Sequence, residues 1–225
     1  NSLLWKIEGE NIKTSYIFGT LHMMPKDNFK MPSKVTEAIN SSNLMALELD
    51  MDNPNFQTEF LKYAKLPEGK ELKNYMDEDE YAFLDSYFKG KMGAGIEQFK
   101  NYNPLTLTSM SMMFHLGKQF ASFEFEFMKI ANNNNIEIKG LETIQDQMEA
   151  INSKSYETQI DELIAMLKDD SMLTMFDEML VLYQSENYEE LFDFLNEYFK
   201  NDDKAIDALL YNRNKNWIGK IEEFS

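Results

Sequence analysis

The chain has 225 residues, no cysteine and a formal charge of −17, with 43% hydrophobic and 13% aromatic residues. A globular body of this size buries about 70% of its unfolded surface, and the missing thiols exclude disulfides, thiolate zinc sites and a cysteine nucleophile. The charge disfavours nucleic acid and anionic membranes, since no basic stripe exists to release counterions, and no run approaches the ~18 apolar residues of a membrane span.

Leu3-Leu4-Trp5-Lys6-Ile7 and Ser15-Tyr16-Ile17-Phe18 flank a turn at Glu8-Gly9-Glu10-Asn11 and predict a β-hairpin. Gly19-Thr20-Leu21-His22 follows its second strand. Pro32-Ser33 opens a short helix, with Ser33 as N-cap and Val35, Ala38 and Ile39 on one face. Leu44-Met45-Ala46-Leu47-Glu48-Leu49 is a continuous apolar run, as expected of a strand buried on both faces. Strand, helix and strand together read as a βαβ unit with a right-handed crossover.

From there to about residue 131 the pattern is helical. Asp77 and Glu80 form a capping box ahead of Tyr81, Leu84 and Phe88, and Phe120, Phe123, Phe127 and Ile130 recur at helical spacing. The glycine-rich stretch 89–95 lacks the ordered glycines of a phosphate loop and reads as a plain loop. Residues 136–141 predict another strand, and everything beyond 143 reads as helix. One stripe holds Ile160, Leu163, Ile164 and Leu167; another holds Leu191, Phe192, Leu195 and Phe199. The acid-rich stretch 151–207 reads as solvated helix faces. The expected fold is a helix-dominated α/β domain spanning 1–225. It comprises a small mixed sheet, with an N-terminal hairpin and a βαβ unit, and a helical lobe over about 52–131.

Three strand ends carry chemistry: Gly19-Thr20-Leu21-His22, Glu48-Leu49-Asp50, and Leu141-Glu142-Thr143. In an open α/β sheet, ligands bind outside the carboxyl ends of the strands. Parallel neighbouring strands would bring His22, Glu48 and Glu142 together there. One imidazole with two carboxylates can hold a divalent ion or exchange protons. Each residue also has a plain structural reading. His22 can be a turn histidine bonded to backbone, Glu48 can pair with Arg213, and Glu142 can cap the next helix with Thr143. Asp50 reads as a cap. His115, within Met112-Met113-Phe114-His115-Leu116-Gly117, reads as a satisfied core histidine, and the scattered methionines read as core filling. Arg213 is the only arginine, a residue suited to planar bidentate contacts that lysine cannot make. Gly-x-Ser-x-Gly and His-Glu-x-x-His are both absent from the sequence.

The segments Leu3-Leu4-Trp5-Lys6-Ile7, Ser15 to His22, and Leu47-Glu48-Leu49-Asp50 resemble the start of the TraB/GumN family, which includes the Wnt-cleaving TIKI metalloproteases and the pheromone-shutdown proteins. Gly140-Leu141-Glu142-Thr143 with Gln147, and Leu209-Leu210-Tyr211-Asn212-Arg213-Asn214-Lys215-Asn216-Trp217, resemble two later family motifs. The match runs in order from residue 3 to about 221. The family pattern has a second Gly-x-x-His after the Arg-Asn helix. This chain contains none, so the remainder of the family domain is expected beyond Ser225.

The resemblance implies a metal-dependent, peptidase-like hydrolase using Mn²⁺, Co²⁺ or Zn²⁺ on a peptide or small-molecule substrate. His22 and Glu48 would bind the metal; His22, Glu48 and Glu142 would be catalytic. Arg213 and Asn214 would contact substrate, Arg213 either clamping a substrate carboxylate or steadying a carboxylate of the site. It also implies an extracytoplasmic location (periplasmic, lipoprotein or secreted) after loss of a signal peptide. The alternative is a non-catalytic extracytoplasmic protein that sequesters a peptide or small ligand in the same crevice. In a third reading, the acidic face of 151–207 meets a basic partner.

Overall fold

A computed structural model describes residues 2–10, 12–117, 119–151, 154–169, 171–200 and 206–224. The N-terminal alternation folds as expected: β1 (Leu4–Ile7) pairs antiparallel with β2 (Ser15–Phe18), Leu4 opposite Phe18. The chain then forms a two-residue strand, β3 (Met24–Pro25), and α1 (Ser33–Asn40). Ser33 is the first helical residue rather than the cap, because the carbonyl of the extended Pro32 already accepts from the Thr36 amide. β4 (Leu44–Leu49) follows, then α2 (Phe56–Tyr63), α3 (Glu78–Met92) and α4 (Pro104–Leu116). The capping box forms at the start of α3, where Asp77 accepts from the Glu80 amide and Glu80 accepts from the Asp77 amide. β5 (Phe120–Ala121), α5 (Phe123–Asn134) and β6 (Glu137–Glu142) come next. The rest is helical: α6 (Ile144–Ile151), α7 (Tyr156–Asp169), α8 (Ser171–Gln184), α9 (Tyr188–Phe199) and α10 (Asn212–Phe224). A π-helical turn, Asp207–Tyr211, leads into α10.

The architecture is α/β with helices dominant, but the strands do not make one mixed sheet. They form three two-stranded pieces: β1–β2 antiparallel, β3–β5 antiparallel and β4–β6 parallel. The expected βαβ pairing of β2 with β4 is therefore replaced by β4 with β6, Leu47 opposite Gly140 and Leu49 opposite Glu142. The hairpin and β4 meet through side chains: Leu4 and Phe18 of the hairpin and Met45 and Leu47 of β4 pack into one cluster with Phe123 and Phe127. Phe18 meets Phe123 edge-on with ring centroids 5.4 Å apart. Phe120, expected on the α5 face, lies on β5, since extended Ser122 starts the helix only at Phe123.

Two apolar clusters result. The first joins Leu66, Leu72, Leu84, Phe88, Ile96 and Leu107 to Ile160, Leu163, Ile164 and Met166 of α7. The second lies under the short strands and joins Leu3, Met24, Val35, Leu47, Phe123 and Phe127 to Leu180 and Tyr183 of α8. Of the expected α9 stripe, Leu191 and Leu195 are half-buried and Phe192 is exposed, while the Phe199 side chain lies outside the described residues. Met110 and Met112 pack against the first cluster.

Candidate functional site

The three strand-end residues do meet, through partners on four helices or loops. β3 pairs with β5 immediately before α5, so the Gly19–Met23 loop is drawn against the first turn of that helix. There Glu124 receives three hydrogen bonds: Thr20 Oγ1 and His22 Nδ1 on Oε1, each at 2.9 Å, and Ser122 Oγ on Oε2 at 2.6 Å. A carboxylate acceptor requires the proton on Nδ1, so the Nε2 lone pair of neutral His22 faces outward. The Tyr183 hydroxyl donates to the Gly19 carbonyl at 2.9 Å and anchors the start of the loop.

Nε2 of His22 lies 3.9 Å from Oε2 of Glu48, too far for a hydrogen bond. That same oxygen accepts from Arg213 Nη2 at 2.7 Å. Arg213 Nε then reaches Glu142 Oε2 at 3.2 Å, and Nη2 also bonds Glu142 Oε1. Trp217, one helical turn beyond Arg213 on α10, donates its indole N–H to Glu142 at 3.1 Å, and Gln147 of α6 donates to Glu142 at 3.1 Å. The Arg213 guanidinium lies over the Trp217 ring, 5.1 Å from its centroid. Glu124, His22, Glu48, Arg213 and Glu142 thus follow one another in a line, with His22 its most exposed member and Glu142 its most buried. The His22 side chain is 62% exposed, and that of Glu142 only 6%.

Burial opposes ionisation of Glu124, but the hydrogen bonds from His22 and Ser122 outweigh it and hold the carboxyl at about 2. The same Glu124 bond raises His22 above its ordinary value, with desolvation opposing. A buried carboxylate such as Glu142 is tolerable only when paired and hydrogen-bonded, and Arg213, Trp217 and Gln147 meet that condition together.

The residues expected from sequence are therefore placed as follows. His22 and Glu48 face each other at the exposed end. Glu142 anchors the interior, while Thr143 caps α6 with Asp146 instead of Glu142 doing so. Arg213 spends its fork on the site's own carboxylates, the second of the two expected uses. Asn214 is exposed on α10 and makes none of these bonds. His115 is not in the core; it ends α4, half-exposed, with Nε2 3.8 Å from Asp177. Glu124 was not singled out by sequence. An acid in a first helical turn looks like an ordinary dipole partner, and nothing local ties it to a histidine 102 positions away.

Two donors to one first-row ion, each about 2.1 Å from it, lie roughly 3.0–3.6 Å apart at angles of about 90–120°. His22 Nε2 and Glu48 Oε2, 3.9 Å apart, would close by a few tenths of an ångström to share an ion, and Glu124 behind His22 supplies the carboxylate that commonly backs a ligating histidine. Among the described residues, no group of three or more His, Cys, Asp or Glu is placed to hold an ion.

A family model described as the TraB/PrgY/gumN family matches residues 3–225. The chain is 30% identical over 90 residues to Metalloprotease TIKI1 of Xenopus tropicalis, which covers 40% of this chain and 17% of that protein. The matched stretch is thus about a sixth of that relative's length. No solved structure matches the chain.

Proposed function

The chain belongs to the TraB/PrgY/gumN family, and from that membership we propose that it is a metal-dependent hydrolase acting on a peptide-like substrate. One observation carries the reading: an exposed imidazole, held at Nδ1 by Glu124, presents Nε2 3.9 Å from Glu48. The likeness to a metalloprotease supports it. His22 Nε2 and Glu48 Oε2 would hold the ion, with Glu124 fixing the tautomer and raising the basicity of the ring. A divalent ion bound there supplies Lewis acidity to a carbonyl and makes a water more acidic. Glu48 takes a proton and returns it to the leaving group, since its Oε1 carries none of the hydrogen bonds that occupy Oε2. Arg213 orients Glu48, and Glu142 keeps Arg213 in place. Asn214 and neighbouring exposed side chains of α10 contact the substrate.

A second reading is sequestration of a peptide or small ligand in the same crevice without turnover. Calorimetric titration of Mn²⁺, Co²⁺ and Zn²⁺ into the chain and into His22→Ala, followed by peptide cleavage assays, decides between them. Stoichiometric uptake lost in His22→Ala, with ion-dependent cleavage, is the expected result. Uptake by neither chain overturns the hydrolase reading. Peptide binding that survives chelation without cleavage establishes sequestration.

A further inference from the structure

Away from the strand ends, a cavity of about 310 Å³ opens between α3, α4, α7 and α8, lined by Tyr87, Lys91, Phe114, His115, Leu167 and Leu173. We propose that it binds a small anionic amphiphile, a medium-chain or aromatic carboxylate. The head would lie between the Lys91 ammonium and the His115 ring, with the apolar body against Phe114, Leu167 and Leu173.

Three observations carry this. The volume is at the lower bound of ~300 Å³ for small-molecule sites, enough for one short chain or ring. The lining combines two leucines and a phenylalanine with a tyrosine, a cation and an imidazole. Phe114 stays 43% exposed, a cost that an apolar ligand would remove. Lys91 has no ion-pair partner among the described residues, in a chain of net charge −17. By contrast Lys89, two residues earlier, is paired with Asp85 at 2.5 Å. A cation in the last turn of a helix complements the carbonyl ends of that helix, which accounts for Lys91 on α3 and His115 on α4 separately. It does not account for both lining one cavity. The nearest acid to His115, Asp177 at 3.8 Å, is largely exposed and is not part of the lining. A bound carboxylate would supply the charge Lys91 lacks and a hydrogen-bond acceptor for the ring.

The test uses octanoate, with octanol and octylammonium as probes of equal chain length and different charge. Calorimetry on the chain, Lys91→Gln and Lys89→Gln is paired with methionine-methyl NMR. Octanoate should bind saturably at one site, at least tenfold more tightly than octanol or octylammonium. Lys91→Gln should weaken binding at least tenfold while Lys89→Gln leaves it unchanged. Methyl shifts should fall on Met92 and the α4 methionines. Absence of saturable binding, equal affinity for the three probes, or indifference to Lys91→Gln overturns the proposal. Shifts confined to Met23, next to His22 of the strand-end site, overturn it as well.

Discussion

At Glu124, burial would raise the carboxyl pKa, yet the hydrogen bonds from His22 and Ser122 and the charge of His22 bring it from 4.5 to about 2. A depressed carboxylate contributes stability above its unfolded pKa, here 4.5, and that contribution is lost as pH falls toward 2. The shift corresponds to on the order of 3 kcal/mol at most. Urea unfolding of the wild-type chain should therefore weaken more steeply than that of Glu124→Gln over this acid range. The reciprocal effect falls on His22, raised by the same bond: Glu124→Gln should lower the midpoint of its imidazole NMR titration. With two histidines in the chain, its resonances can be assigned by comparison with His115→Gln. An unchanged midpoint would show that Glu124 does not hold the ring in solution. At the buried end, Arg213→Ala leaves Glu142 without its cation. Removing one partner of a buried pair costs about 3–5 kcal/mol, and urea unfolding should register a loss in that range. Arg213→Lys should recover part of it, since the charge returns but the fork does not.

The elements matter because each contributes one or two of these groups. β4 and β6 run side by side through Gly140, where a Cβ would meet the Asp50 amide nitrogen at 2.7 Å. That nitrogen belongs to backbone, which cannot swing aside as a flexible side chain can. Gly140→Ala must therefore push the end of β4, and Glu48 with it, away from β6. Overpacking of this kind costs about 1–3 kcal/mol. Thermal unfolding should show that loss, and ion uptake at His22 and Glu48 should fall further than stability alone explains. Normal ion uptake in a folded Gly140→Ala chain would show that the two strand ends need not be in register. α10 delivers Arg213 and Trp217 one turn apart onto the same carboxylate, and its π-helical entry sets the phase at which they arrive. Single π turns inside helices are frequent at functional sites.

Over the whole molecule, the charge of −17 works against compaction by self-repulsion. Counterions screen exposed charges separated by more than ~10 Å at 0.1 M salt. Buried pairs such as Arg213–Glu142 are screened far less. The melting temperature should consequently rise as sodium chloride is increased from low ionic strength. A fall would mean that attractive surface pairs outweigh the repulsion. The two apolar clusters divide the work: one rests under the strands that carry the site, the other ties α7 to the helices between β4 and β6.

Much was readable from the sequence alone, wherever the determinant was local. Hairpin alternation, the capping box of Asp77 and Glu80, the apolar run of β4 and the helical stripes each reflect neighbouring residues, and each element formed, although β4 is not buried on both faces: it buries Leu47 and leaves Ala46 exposed. His22, Glu48 and Glu142 stood out because reactive side chains at strand ends are unusual company for apolar runs, and Arg213 because it is the one arginine. What pairs with what was decided only by tertiary structure. Side chains of the hairpin and of β4 join one apolar cluster with Phe123 and Phe127, while the parallel backbone ladder of β4 forms with β6. The two-residue pairing of β3 with β5 brings Glu124 to His22 across 102 positions, and no periodicity in the chain encodes that contact. Local patterns set the conformation of each segment, whereas side-chain volume and the need to pair every buried charge choose among the ways of assembling them.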